Sequence, residues 1–135
     1  MSARSKARKR ALDILFASEM RDESPVAALE RAVSEGEGPS NPYTGDLVRG
    51  VAEHGDEIDA LLRASSQEWS LERMPAVDRN VLRLGVFEML YVDDVPAGVA
   101  ISEALQLVRD LSTDESPGFV NGVLGAIQRT HVTGR

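Results

Sequence analysis

The chain has no cysteine, which removes disulfides, thiolate metal sites and thiol catalysis together. Histidine occurs only at positions 54 and 131, neither in a metal-ligand spacing, and His54 reads as a surface residue beside Glu53 and Asp56. No Gly-rich phosphate loop is present. The serines fall at helix starts, without the strand-turn-helix setting of a nucleophile elbow. No apolar run approaches a membrane span, and Asp13, Glu19, Asp22 and Glu23 follow the basic start where a signal peptide has its apolar core. Neither insertion nor secretion by that route is expected; a cytoplasmic location is. Aromatics are scarce, only six in 135 residues, so the position of each carries weight.

What remains is an ordinary globular composition, 42% hydrophobic and 27% charged. A chain of this length is expected to form one domain over residues 1–135, burying roughly two-thirds of the surface its unfolded form exposes. The net charge of -7 argues against nucleic acid when read as one number. Its distribution reverses that. Residues 1–10 hold Arg4, Lys6, Arg8, Lys9 and Arg10 and no acid, while the other 125 residues carry 10 basic against 22 acidic side chains. A basic arm on an acidic body suits phosphate binding, with affinity falling steeply in salt; a solvated helix end is the competing reading, and both stand at this point.

Hydrophobic periodicity reads as helix throughout. From Arg4 to about Met20, Ala7, Ala11, Ile14, Leu15 and Ser18 share one side. Arg4 and Arg8 continue that stripe toward the start, whereas Lys9, Phe16 and Met20 mark a different side. Ser24-Pro25 opens a short helix to about Ser34, and Glu35 to Pro42 reads as a flexible loop. Tyr43, Leu47, Val48, Val51, Ile58, Leu61 and Leu62 predict one long helix, bent near Gly55. Ser70 and Glu72 start a short piece that Pro75 interrupts or restarts. Residues 75–92 are apolar around nearly the whole circumference, which marks a central helix. Asp93 to Pro96 is a turn before an amphipathic helix to Leu111, and Ser116-Pro117 opens the last one. The prediction is an all-α, compact single domain of six or seven helices.

The acid pairs Asp93-Asp94 and Asp114-Glu115 suit a hard cation or acid-base work, but both lie at helix boundaries, where carboxylates cap N–H groups and stabilise the positive helix end. Phe119 follows Ser116-Pro117-Gly118 at a helix start. Either a base stacks on its ring while backbone N–H groups face phosphate, or the ring packs with Val123 in the core.

Four segments in order, SKARKRALDILF, MPAVDRNVLRLGVFEML, VPAGVAISEALQLVRDLSTDES and GFVNGVLG, resemble the NusB antitermination-factor family along almost the whole chain. The resemblance implies a protein that is not an enzyme, needs no cofactor or metal, and binds boxA-type single-stranded RNA. Its implied partners are the small-subunit ribosomal protein acting as NusE and the RNA polymerase elongation complex with other Nus factors, for transcription of ribosomal RNA operons. It puts RNA contacts at Arg4, Lys6, Arg8, Lys9 and Arg10 and at Glu115 and Phe119, with Asn121 and Gly122 completing the motif. It puts the ribosomal partner at Phe16, Glu72, Asp78 and Arg83. Three residues depart from the family pattern: Asp13 replaces a glutamine, Phe16 a tyrosine and Gly118 a basic residue. The alternatives are the RNA-binding module of a ribosomal RNA cytosine methyltransferase, which fits only a fragment because no catalytic domain follows Arg135, and a helical adaptor that binds only protein.

Overall fold

A serine or asparagine followed by proline opens two of the helices. In the computed structural model, which describes residues 2–132, the Ala27 N–H donates to Ser24 Oγ at 3.1 Å. The Tyr43 N–H donates likewise to Asn41 Oδ1 at 2.9 Å. Each cap satisfies a donor that the first helical turn leaves without a partner, and the proline that follows has no N–H to satisfy. Asn41-Pro42 thus ends the segment read as loop with a helix start of its own.

Seven α-helices form among the described residues: α1 (Ala3–Met20), α2 (Pro25–Ser34), α3 (Pro42–Glu53), α4 (Gly55–Ser65), α5 (Ala76–Tyr91), α6 (Ala97–Leu111) and α7 (Ser116–His131), with a 3₁₀ turn at Leu71–Arg73. No strand occurs among the described residues. The long helix predicted from Tyr43 to Leu62 is instead two, because the chain breaks at His54 and Gly55 begins a new helix. The apolar period runs through the break, so periodicity alone does not register it.

The first two helices end alike. After α1, Asp22 takes a left-handed φ of 53°, and the Glu23 N–H reaches back to the Ser18 carbonyl at 2.9 Å. After α2, Gly36 takes φ 77° and the Glu37 N–H reaches the Ala32 carbonyl at 2.8 Å. Both closures recover carbonyls that the last turn leaves free. The α2 closure also directs the chain into residues 37–41.

The chain divides into two compact units, Met1–His54 and Gly55–Arg135. In the first, α1, α2 and α3 pack pairwise, and Ala7, Ala11, Leu15, Leu29, Leu47 and Val48 are buried. The small residues of α1 allow close approach: Thr44 Oγ1 donates to the Ala7 carbonyl at 3.0 Å. In the second unit α5 packs against α4, α6 and α7, which is what its apolar circumference anticipates. A Cβ at Gly85 of α5 would sit 3.0 Å from Leu124 Cδ1 of α7, so glycine sets how closely those two helices approach.

Candidate nucleic-acid interface

The basic residues are not a loose tail. Helix begins at Ala3, with Ser2 Oγ capping the Ser5 N–H at 3.0 Å, so all five cations ride on the opening turns of α1. That is an unfavourable place for them, because the N-terminal end of a helix carries a partial positive charge and favours acids, of which the first turn has none. A phosphate at this end is attracted by the side chains and by the helix alike.

The five divide by environment. Lys6 and Lys9 are exposed and Arg4 and Arg10 half-buried. Arg8, expected as a direct phosphate contact, is only 4% exposed, so its side chain is covered by the protein's own packing. It lies on the buried stripe with Ala11 and Leu15, and Arg4 and Arg8 share the ring of Tyr43, their guanidinium carbons 4.3 and 5.8 Å from its centroid. Each such cation-π contact contributes about 0.5–2 kcal/mol, growing with desolvation. Arg10 turns the other way and donates from Nη2 to the Glu37 carbonyl at 2.6 Å. Lys6 and Arg10 then border a cleft of about 380 Å3 between α1 and residues 38–41.

At the start of α7, Glu115 is exposed and occupies the N-cap position without making a side-chain cap. Ser116, read from the sequence as the opening of this helix, does not cap it either. Ser116 is fully buried inside the helix, and its hydroxyl turns back to accept from the Thr113 N–H at 3.2 Å and to donate to Ser112 Oγ at 3.1 Å. Phe119 is 7% exposed and meets Trp69 edge-to-face, with ring centroids 4.7 Å apart. The ring therefore offers no open face for a base. Trp69 is a neighbour that spacing along α7 does not reveal. Asn121 and Gly122 of the same motif are exposed.

The partner residues also separate. Phe16 is 36% exposed and Met20 60%, an apolar pair on the outer side of α1. Glu72 and Arg83 line one cleft with Asp59, Arg63, Leu71 and Arg79. Both already have internal partners. Glu72 accepts from Arg63 at 2.9 Å, and that hydrogen bond holds its carboxyl below the usual range. Arg83 grips Asp59 with two bonds, 2.9 and 3.1 Å, and its Nη1 donates to Asn80 Oδ1 at 3.3 Å. Asp78 is fully buried, which corrects its expected place as a surface anchor for a basic partner. One carboxylate oxygen accepts from Ser112 Oγ at 2.6 Å; the other has no hydrogen-bond partner among the described residues. Asp78 thus ties the first turn of α5 to the turn that leads into α7.

Tyr43, Asp59 and Ser112 complete these arrangements and were not singled out as site residues. Asn41-Pro42, just before Tyr43, carried the signal of a helix start beside the loop. No comparable sequence signal pairs Asp59 with Arg83 or Ser112 with Asp78, since each pair joins different helices or turns.

The chain matches the NusB family over residues 5–129. It is 70% identical over 129 residues to the transcription antitermination protein NusB of a Nocardioides species, covering 96% of each chain. Among solved structures, T. maritima NusB superposes with a TM-score of 0.86 at 34% identity, covering 98% of this chain and 94% of that one. A chain from the crystal structure of antitermination factors NusB and NusE in complex with dsRNA superposes at 0.82 and 30% identity, covering 95% and 97%.

Proposed function

The chain belongs to the NusB family, and on that premise we propose that it is an RNA-binding antitermination factor that engages boxA-type RNA together with the ribosomal protein acting as NusE. The single observation that carries the RNA reading is the concentration of cations on the opening turns of α1, with Lys6 and Lys9 exposed, in a chain that is otherwise acidic. The structural relative solved with NusE and double-stranded RNA supports NusE as the protein partner and RNA as the class of ligand.

Arg4, Lys6, Lys9 and Arg10 supply the phosphate contacts of this reading, and Arg8 acts by holding Tyr43. Glu115 and the exposed Asn121 and Gly122 form a second contact, with Phe119 supporting them from inside. Phe16 and Met20, then Glu72 and Arg83, make the partner surfaces. The family match spans both compact units, so residues 1–135 work as one NusB-like domain in this reading. Its action is assembly without catalysis, in the cytoplasm, within an RNA polymerase elongation complex that includes other Nus factors. Among the described residues no helix is long and apolar enough to cross a membrane.

The test is a titration of boxA RNA across salt concentrations, with and without the ribosomal partner. Four phosphate contacts to a single strand give a log-log salt slope of about -3, and Lys6→Ala with Lys9→Ala should flatten it by about 1.4. The partner should tighten binding beyond either protein alone. An unchanged slope in the double variant, or no binding at low salt, refutes the reading.

A further inference from the structure

Positions 3, 6, 7 and 10 follow one another along a single face of α1 at helical spacing. Two are alanines and two are cations. Ala3 and Ala7 form the floor of the 380 Å3 cleft, Lys6 and Arg10 its rim, and Gly38, Pro39, Ser40 and Asn41 its far wall. The wall is attached at both ends: Arg10 holds the Glu37 carbonyl at 2.6 Å, and Asn41 Nδ2 donates to the Ala3 carbonyl at 3.3 Å. Behind it, a Cβ at Gly38 would come within 3.1 Å of Val33 Cγ2, so glycine lets the segment lie close to α2. Beneath, the Thr44 hydroxyl is spent on the Ala7 carbonyl. The cleft is thus a consequence of small residues on a helix face opposite a pinned loop.

We propose that this cleft holds one nucleotide of the bound RNA, with its phosphate at Lys6 and Arg10 and its base and ribose against Ala3, Ala7 and Pro39. The inference rests on the RNA-binding reading and deepens it from general attraction to a defined pocket. The chemistry matches on each side. Lys6 makes no ion pair among the described residues and is exposed, so an anion gains its charge without displacing an acid. The floor is methyl groups and Pro39 adds an apolar ring to the wall, so a base can bury apolar surface here while a phosphate meets the cationic rim. Ser40 brings a hydroxyl to the wall, able to donate to or accept from a base edge or a 2′-OH. The volume lies at the lower end of the roughly 300–1,000 Å3 of small-molecule sites, which fits one nucleotide and not a helix or a duplex.

The experiment measures affinity for a boxA RNA and for the same RNA lacking one base at a time, on the intact protein and on variants that fill the cleft without changing charge. Ser40→Trp and Ala3→Phe are two such variants, both at exposed positions. If one bulky side chain disturbs folding, the other carries the test, with helicity checked by circular dichroism. In the intact protein, removal of one particular base should weaken binding about fivefold to tenfold, through lost apolar burial. The filled variants should bind the full RNA more weakly by a similar factor and lose that sensitivity. Lys9→Ala, outside the cleft, should weaken all the RNAs alike. Filled variants that bind normally with an unchanged base profile overturn the cleft and leave the RNA reading standing. A uniform loss with no sensitive base means that the cleft takes backbone phosphate alone, which overturns the nucleotide assignment. If the intact protein does not bind RNA, both readings fall.

Discussion

Replacing Phe119 by alanine separates packing from stacking at the start of α7. The ring is 7% exposed and meets Trp69 at 4.7 Å. Truncating a buried phenylalanine costs about 3–5 kcal/mol, through lost transfer energy and the cavity left behind. The edge-to-face pair contributes about 0.5–1.5 kcal/mol within that total. Val120, Val123 and Leu124 beside it are also buried and limit how far the site collapses. A loss near 4 kcal/mol follows. For a chain of this size each kcal/mol lowers Tm by about 4 °C, so the midpoint should fall by about 15 °C. Trp69→Ala and the double variant complete a cycle whose coupling should be about 1 kcal/mol. Thermal melts by circular dichroism measure all four proteins. RNA titrations at a temperature where each is folded should give affinities within about threefold of the parent, because stacking by an open ring contributes about 1–3 kcal/mol per base and this ring is covered. A Tm change below about 4 °C together with a tenfold loss of RNA affinity would show that the ring leaves its pocket to stack, and the reasoning would be wrong.

Three further outcomes test the other sites. Ser112→Ala removes the hydrogen bond that, among the described residues, the buried Asp78 carboxylate accepts, so it should cost about 2 kcal/mol or more, and the double variant with Asp78→Ala should be more stable than Ser112→Ala alone; urea melts decide, and an additive double variant contradicts the tie. Phe16→Ala, at a position 36% exposed, should change stability by less than about 1 kcal/mol while weakening the ribosomal partner in calorimetry; undiminished partner affinity moves that surface elsewhere. The hydrogen bond from the Tyr91 hydroxyl to Glu57 pushes the Tyr91 pKa up from 10.0 to about 12. A pKa raised on folding stabilises fully below the unfolded value and is lost as pH climbs from about 10 through about 12. Ultraviolet titration should therefore show one late-ionising tyrosine that disappears in Tyr91→Phe, and a parent curve identical to the variant's refutes the bond.

Local signals were legible where one stretch of chain contains both the cause and the effect. Ser24-Pro25 starts α2 because the cap, the proline and the satisfied N–H lie within four residues. The apolar circumference of α5 marked it as central because burial on all sides leaves no polar face. Phe16 and Met20 read as exposed from their angle to the Ala7, Ala11, Leu15 stripe, which only requires the helix to be regular. His54 shows the limit of this reasoning. An apolar period continues across the break between α3 and α4, so only the backbone reveals two helices.

Sequence by itself determined the helical class, the cationic start on an acidic chain and, through its four motifs, the family. Each depends on composition, order or spacing along one segment. Tertiary structure alone decided which of those residues remain available. Arg8 and Lys9 are neighbours of like charge, yet one is buried beside Tyr43 and the other faces solvent, because consecutive helix positions point about 100° apart and α3 covers only one of them. Asp78 is an acid in the first turn of α5, a favourable place on any helix, but in the fold it is buried and accepts from Ser112, thirty-four residues away. Burial and partnership across such separations come from packing of whole helices, and no single segment carries them.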